Sequence, residues 1–490
     1  MNRDSLGVDS KSKPLQHQLE SKQNMTDQTD HSSLLTRRKF IGHSGKIATG
    51  GALAGIALPV VHGKNDDTTK IALVGCGGRG TGAASNALSV SLANGPTKIV
   101  AMADVVQSKL DRSYNGLVKK HKEQVDVPTE RRHIGFDGYR KAMDALDPGD
   151  VVIFTSPCAF RWVHFEYAIQ KSLNVFMEKP VKPDGFSSRK MLELNEKAKK
   201  KNLKVGVGLM CRHSQARREL YSRIKDGEIG QILNLRAYRM QGPVASCFTS
   251  KNTSDDSDLI HQIKNFHSFL WLSGGSFSDF FIHNIDECCW MKDAWPVKAQ
   301  AQGGRHYRGD KVDQNFDNYT VEYTFADETK MYLHGRNMAG CHQEFSSNAH
   351  GTEGYALISG PGGHRSQARI HKGQGSDSDL AWMFGQRGGD RPLRESSPYQ
   401  DEWEHLMDAI RNNKPYNEVE RGVQASVVTS MGRKAAHTGL EVSYEEMLNS
   451  KHQFGPGAEN LTMKSESPLQ ANPDGSYPIP EPGKKRNREY

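Results

Sequence analysis

Lys70-Ile71-Ala72-Leu73-Val74 is a short apolar run that passes straight into Gly75-Cys76-Gly77-Gly78-Arg79-Gly80, and a helical stretch over 81–92 follows. No other segment restricts the fold as tightly. G-x-G-x-x-G between a strand and a helix is a phosphate cradle: Gly75 suits the tight turn, and Gly77 admits a pyrophosphate close to the backbone. Gly80 lets helix and strand pack, while Gly78 and Arg79 stand at a helix N-terminus that attracts anions. The next apolar strand, 98–103, ends in Asp104, 24 residues beyond Gly80. A carboxylate there accepts bonds from the adenosine ribose hydroxyls and repels a 2′-phosphate, which favours NAD over NADP. An ordinary strand-end aspartate in a turn is the competing reading.

Strands and helices then alternate. Helices are expected around 139–145, 164–171 and 187–201, and apolar strands at 150–154, 174–177 and 204–209. Such alternation predicts a doubly wound parallel sheet, an α/β Rossmann domain over 66–210. Glu178-Lys179-Pro180 follows the strand 174–177, and a lysine at that carboxyl end faces the ligand crevice. From 234 onward the pattern shifts to longer, partly alternating strands, such as 233–240 and 319–325. Polar loops at 249–258 and 359–391 break them, so a second, largely antiparallel α+β domain is expected over 211–450. Within it, Gly274-Gly275 precede Asp279, His283 and Asp286. On a helix Asp279 and His283 share a face, and a carboxylate there orients an imidazole for acid–base work. A buried Asp–His pair that merely satisfies itself is the alternative. Residues 451–490, rich in Pro and Gly, read as a tail that wraps or stays loose.

Charge argues against nucleic acid. The net charge of +8 is concentrated in 1–64, with nine basic against five acidic residues, and in 483–490, with four against one. A near-balanced body carries no phosphate-tracking field. The seven cysteines show no metal or redox spacing, so no metal is expected and they read as small buried hydrophobes. Residues 1–63 read as an address: a polar, disordered start, then Arg37-Arg38, then a short Gly/Ala-rich apolar run over 47–61. Fifteen residues are too few to span a bilayer, which needs about 20. The arginine pair resembles a twin-arginine signal, which implies the export machinery as a partner, a periplasmic location and no stable membrane insertion after cleavage. A basic amphipathic helix on a membrane surface, or an uncleaved anchor, remains open.

Residues 75–80, Asp104, Ser156-Pro157 followed by His164, and Glu178-Lys179-Pro180 resemble the glucose–fructose oxidoreductase/inositol dehydrogenase (Gfo/Idh/MocA) family over roughly 68–447. The resemblance implies a Rossmann domain and a second domain whose open sheet closes the substrate site and serves as the face of a homo-oligomer. It implies a cis bond before Pro180. It also implies Lys179, Asp279 and His283 as the catalytic group, with Asp279 and His283 touching substrate. Gly75, Gly77, Gly78, Arg79, Gly80, Asp104, Ser156, Pro157, His164, Glu178 and Lys179 would hold the cofactor. Arg212 falls where the family has a substrate-contacting arginine; His213 beside it reads as a surface residue. Tyr319 and Arg336 are further candidate substrate contacts, and Trp403 and Leu406, at helical spacing, read as packing. Phe281 stands where the family has glycine, which leaves the wall of the pocket open.

Two activities compete. One is an NAD-dependent oxidoreductase that moves a hydride between nicotinamide and a carbinol carbon of a sugar or polyol. The alternative is an NAD-dependent glycosidase working by transient ring oxidation, elimination and re-reduction. A nucleotide-binding sensor without turnover fits the fold but not the intact Lys179, Asp279 and His283.

Overall fold

A computed structural model describes residues 67–360, 366–375, 377–385 and 395–490. The signal-like segment with Arg37 and Arg38 lies outside the described residues. Strands β1 (Thr69–Val74), β2 (Thr97–Asp104), β3 (Arg132–Ile134), β4 (Val151–Phe154), β5 (Asn174–Met177) and β6 (Val205–Val207) form a parallel sheet in the order β3-β2-β1-β4-β5-β6. Helices Gly78–Ala87, Gln107–His121, Gly138–Asp144, Arg161–Gln170 and Gly185–Lys200 cross over between them. β4 and β5 are buried at every position because helices cover both faces. The strand order reverses between β1 and β4, the point where an open α/β sheet leaves a crevice beyond its carboxyl ends. The expected Rossmann domain is present.

The second sheet has the order β14-β13-β12-β11-β7-β10-β9-β8-β15. Its strands are β7 (Ile232–Gln241), β8 (Lys298–Gly304), β9 (Asn318–Thr324), β10 (Lys330–Asn337), β11 (Glu344–Gly351), β12 (Tyr355–Ser359), β13 (Ser366–His371), β14 (Leu380–Met383) and β15 (Val442–Ser443). Only β7 and β10 pair in parallel; the other pairings are antiparallel. Strict alternation buries Tyr319, Val321 and Tyr323 on β9, and Met331 and Leu333 on β10. Gly335 continues that inward row because a Cβ there would sit 2.1 Å from the ring of Phe281. The segment expected as a loop over 359–391 contributes β13 and β14 to the sheet edge. Its many glycines masked a short strand pair.

Two later helices join the sheets. Helix Pro398–Arg411 lies on the parallel sheet, with Trp403 stacked on Phe176 at 4.5 Å and Leu406, Met407 and Ile410 in the same core as Ile71 and Ile153. Helix Val419–Thr438, 20 residues long, runs along the seam. Gly422 approaches Val181 and Val207 from the first sheet's side, and Gly432 lies against Tyr323 of the second. The sequence pattern did not reveal this helix, because burial nearly all round leaves no amphipathic stripe.

The tail wraps rather than staying loose. The Ser467 hydroxyl donates to Gln262 (2.8 Å), Tyr477 bonds Asp258, and Glu489 pairs with the buried Arg433 at 2.8 Å. Among the described residues no helix is long and apolar enough to cross a membrane. Because Trp403 is fully buried against Phe176, Trp403→Ala should cost about 3–5 kcal/mol, read as a lower urea midpoint at unchanged m-value. A midpoint shift near zero would remove this helix from the first domain's core.

Candidate active site

The β1 turn forms as its glycines require. Gly75 has φ +97° and donates to Ala103 O at 2.8 Å; a Cβ there would lie 2.5 Å from Ser156 N. At Gly80 a Cβ would sit 2.1 Å from Gly75 O. At Gly77 and Gly78 a Cβ would meet nothing within 4 Å, so these two positions open onto the cleft and leave room for a phosphate. Asp104 accepts from Cys76 N at 2.6 Å and from Val106 N at 2.9 Å, which fixes its carboxylate at the cleft's edge. Burial raises its pKa, and these two bonds oppose the rise. Asp104, Ser156, Pro157 and His164 line one compartment of about 830 Å³ together with Gly75 and Gly77. Ser156 Oγ and His164 Nδ1 are 3.2 Å apart, and burial lowers the imidazole to about 3, so it is neutral. The shape and donors fit a dinucleotide: open glycines for phosphate, a fixed carboxylate for ribose, and apolar walls for a base.

A second compartment of about 1150 Å³, open at its mouth, shares Gly77, Ser156 and Pro157 with the first. Gly78, Arg79, Gly80, Glu178, Lys179, Asp279 and His283 all line it. Arg79 Nε pairs with Glu178 at 3.1 Å, and its guanidinium lies over the Tyr399 ring at 4.7 Å. The Lys179–Pro180 bond is cis, as the resemblance implied. Lys179 Nζ, from the first domain, donates to Asp279 O at 2.7 Å and lies 3.5 Å from its Oδ1.

The Asp279 carboxylate has two partners that its spacing to His283 did not foretell. Residues Phe277–Phe281 form a π-helical turn before helix Ile282–Lys292. A π-helical turn closes i→i+5, so a regular i, i+4 spacing does not hold across it. The oxygens of Asp279 go to Lys179 and to Nε2 of His267, the latter at 3.2 Å. Burial alone would raise this carboxyl, but the Lys179 ammonium and then His267 outweigh it and hold it at about 2. His283 itself is buried and lines the cleft.

Several expected contacts lie elsewhere. Arg212 does not line the cleft; its guanidinium grips Asp286 through bonds of 2.8, 2.9 and 3.1 Å. His213 is buried, not superficial, between His405 (2.8 Å) and Glu418 (3.2 Å). Tyr319 is buried and its hydroxyl meets His437 at 3.1 Å, while Arg336 bonds the His342 carbonyl; neither reaches the site. Phe281 fills the space over Gly335, so Phe280, not Phe281, forms that part of the wall.

Trp403 and Leu406 pack as expected, yet Tyr399 from the same segment faces the cleft. His267 and Arg239 also line it and escaped notice. His267 sits in the short 3-10 turn Phe266–Ser268, which carries no motif. Arg239 carried a signal: it continues the inward row Leu235, Ala237 of an alternating strand, where a charge is out of place.

Residues 218–357 match the GFO/IDH/MocA C-terminal domain. An inositol 2-dehydrogenase of Corynebacterium glutamicum is 29% identical over 142 residues, 29% of this chain and 40% of that relative, so the match spans less than half of its length. The fold is similar to an aldose–aldose oxidoreductase from Caulobacter crescentus (TM-score 0.57, 15% identity, 77% of this chain and 99% of that one). It is likewise similar to a scyllo-inositol dehydrogenase from Lactobacillus casei, solved with NAD(H) and scyllo-inositol (TM-score 0.54, 21% identity, 77% and 99%). Residues 218–357 are thus similar to the GFO/IDH/MocA C-terminal domain, and the chain is similar over part of its length to inositol 2-dehydrogenases.

Proposed function

We propose that the chain is an NAD-dependent oxidoreductase acting on a CH–OH carbon of a sugar, polyol or related carbohydrate. One observation carries this reading: Lys179, Asp279 and His283 line the same cleft as the open glycines Gly77 and Gly78. The inositol 2-dehydrogenase relatives support it. When bound, nicotinamide supplies the hydride acceptor. His283 takes the hydroxyl proton, and Lys179 Nζ stabilises the charge that grows on that oxygen. Asp279 is the positioning residue, since it holds the Lys179 ammonium. His267 serves as a brace: Nδ1 meets Ser246 Oγ at 2.9 Å, Nε2 meets Asp279, and its ring stacks on Phe280 at 5.2 Å. The fixed carboxylate of Asp104 selects NAD over NADP. Arg37 and Arg38, ahead of the weakly apolar run, support export to the periplasm by the twin-arginine route, which carries proteins already folded around their cofactors.

His283→Ala should lower kcat about 10²–10⁴-fold with little change in Tm or NAD affinity, because the cofactor cradle belongs to the other domain. Full activity in the folded variant would leave His283 a structural residue. NADP binding as tight as NAD, by titration, would remove Asp104 from its role.

Asp279 also predicts a pH effect. Its folded value of about 2 lies below the ordinary 3.8, so its stabilising contribution is present above pH 4 and lost as pH falls through 2. The stability gap between the native chain and Asp279→Asn should shrink by about 2 kcal/mol across that window, followed by denaturant melts at each pH. A gap that is constant with pH would contradict the Lys179–Asp279 pairing.

Exchanging Arg37 and Arg38 together for lysine keeps the charge but loses the guanidinium pair. The protein should then accumulate in the cytoplasm; unchanged export in a fractionation assay would refute the twin-arginine reading.

A further inference from the structure

Among the described residues, the cations that line the cleft differ in how they are held. Arg79 faces Glu178. Arg161 bonds the carbonyls of Phe154 and Ser156, and Lys179 faces Asp279. Arg239 differs. It is only 7% exposed, it lines the cleft beside Lys179, Asp279 and His283, and neither its Nε nor its Nη1 has a hydrogen-bond partner. Glu287 and Asp279 act on it at a distance, being already engaged by Arg217 at 2.9 Å and by Lys179 and His267. Its guanidinium lies 3.6 Å over the ring of Phe345, its cross-strand neighbour on β11, which holds it in place without spending a donor. Burial lowers its pKa to about 10, which leaves it charged at neutral pH. A buried, unmatched guanidinium destabilises a fold unless a ligand answers it.

We propose that Arg239 binds a carboxylate of the substrate, so that the enzyme acts on sugar acids, aldonates or uronates, in preference to neutral sugars. One unmatched positive charge calls for one negative charge, and a planar carboxylate suits a guanidinium. The inference rests on the oxidoreductase reading above and adds the substrate class to it.

The test uses the full chain loaded with NAD, with initial rates on gluconate, glucuronate and galacturonate beside glucose, galactose and myo-inositol. The acids should be preferred. Arg239→Met should lower kcat/KM for the acids by about 100-fold, at least tenfold more than for the neutral compounds, and leave Tm equal or higher. Arg239→Lys keeps the charge without the planar donor set; it should raise KM for the acids about tenfold at nearly constant kcat, and it serves if the methionine variant does not fold.

Neutral substrates turned over as well as the acids by the native protein, or an equal loss on both classes in either variant, would overturn the role of Arg239 and leave the oxidoreductase reading standing. Stronger turnover of glucose 6-phosphate than of gluconate would overturn the carboxylate. NAD reduction with no member of the panel would count against the oxidoreductase reading, and this inference would fall with it.

Discussion

The site depends on one buried arginine that touches no part of the cleft lining. Arg433, fully buried on the seam helix, bonds Ser278 Oγ at 2.6 Å, Gly274 O at 3.3 Å and Pro183 O at 3.1 Å. Ser278 precedes Asp279, and Pro183 lies just beyond the Lys179–Pro180 bond. One guanidinium therefore ties the two backbone stretches that carry Lys179 and Asp279, and the contact between those side chains follows. Gly274 adopts φ +74° and yields its Cβ space to this arginine, since a methyl there would lie 2.4 Å from Nη1. A cation this deep needs an answering charge. Glu489 supplies it through two bonds, at 2.8 and 2.9 Å, and is held well below the usual carboxylate range: burial works against ionisation, and Arg433 overcomes it.

The same logic separates the two domains' contributions. The parallel-sheet domain supplies the open glycines, the fixed Asp104 carboxylate, the cis turn and Lys179. The second domain sets Asp279, His267, His283 and Arg239 against them. The cleft contains two histidines, His267 held at both ring nitrogens and His283 on the wall.

Much of this was legible in the residues. A strand running into Gly75–x–Gly77–x–x–Gly80, and the alternation after it, specified the parallel sheet because glycine spacing and apolar runs report local backbone geometry directly. Lys179, Asp279 and His283 do meet at one cleft. What escaped depended on long-range packing. The i, i+4 argument for Asp279 and His283 assumed a regular helix, and it foresaw neither the π-helical turn nor the His267 partner of that carboxylate. Arg212 and Tyr319 have the right chemistry for a substrate contact but were claimed by Asp286 and by the aromatic core. Helix Val419–Thr438 has no polar face to betray it, since it is enclosed between two sheets, and its small residues permit that enclosure.

Glu489 stands 56 residues beyond Arg433, on the wrapped segment and not on the seam helix whose charge it answers. Where that segment is not docked, Arg433 has no counter-ion, and the two loops that Arg433 joins lose the cation that ties them. A stretch without regular strands thus sets the rigidity of a cleft it does not line.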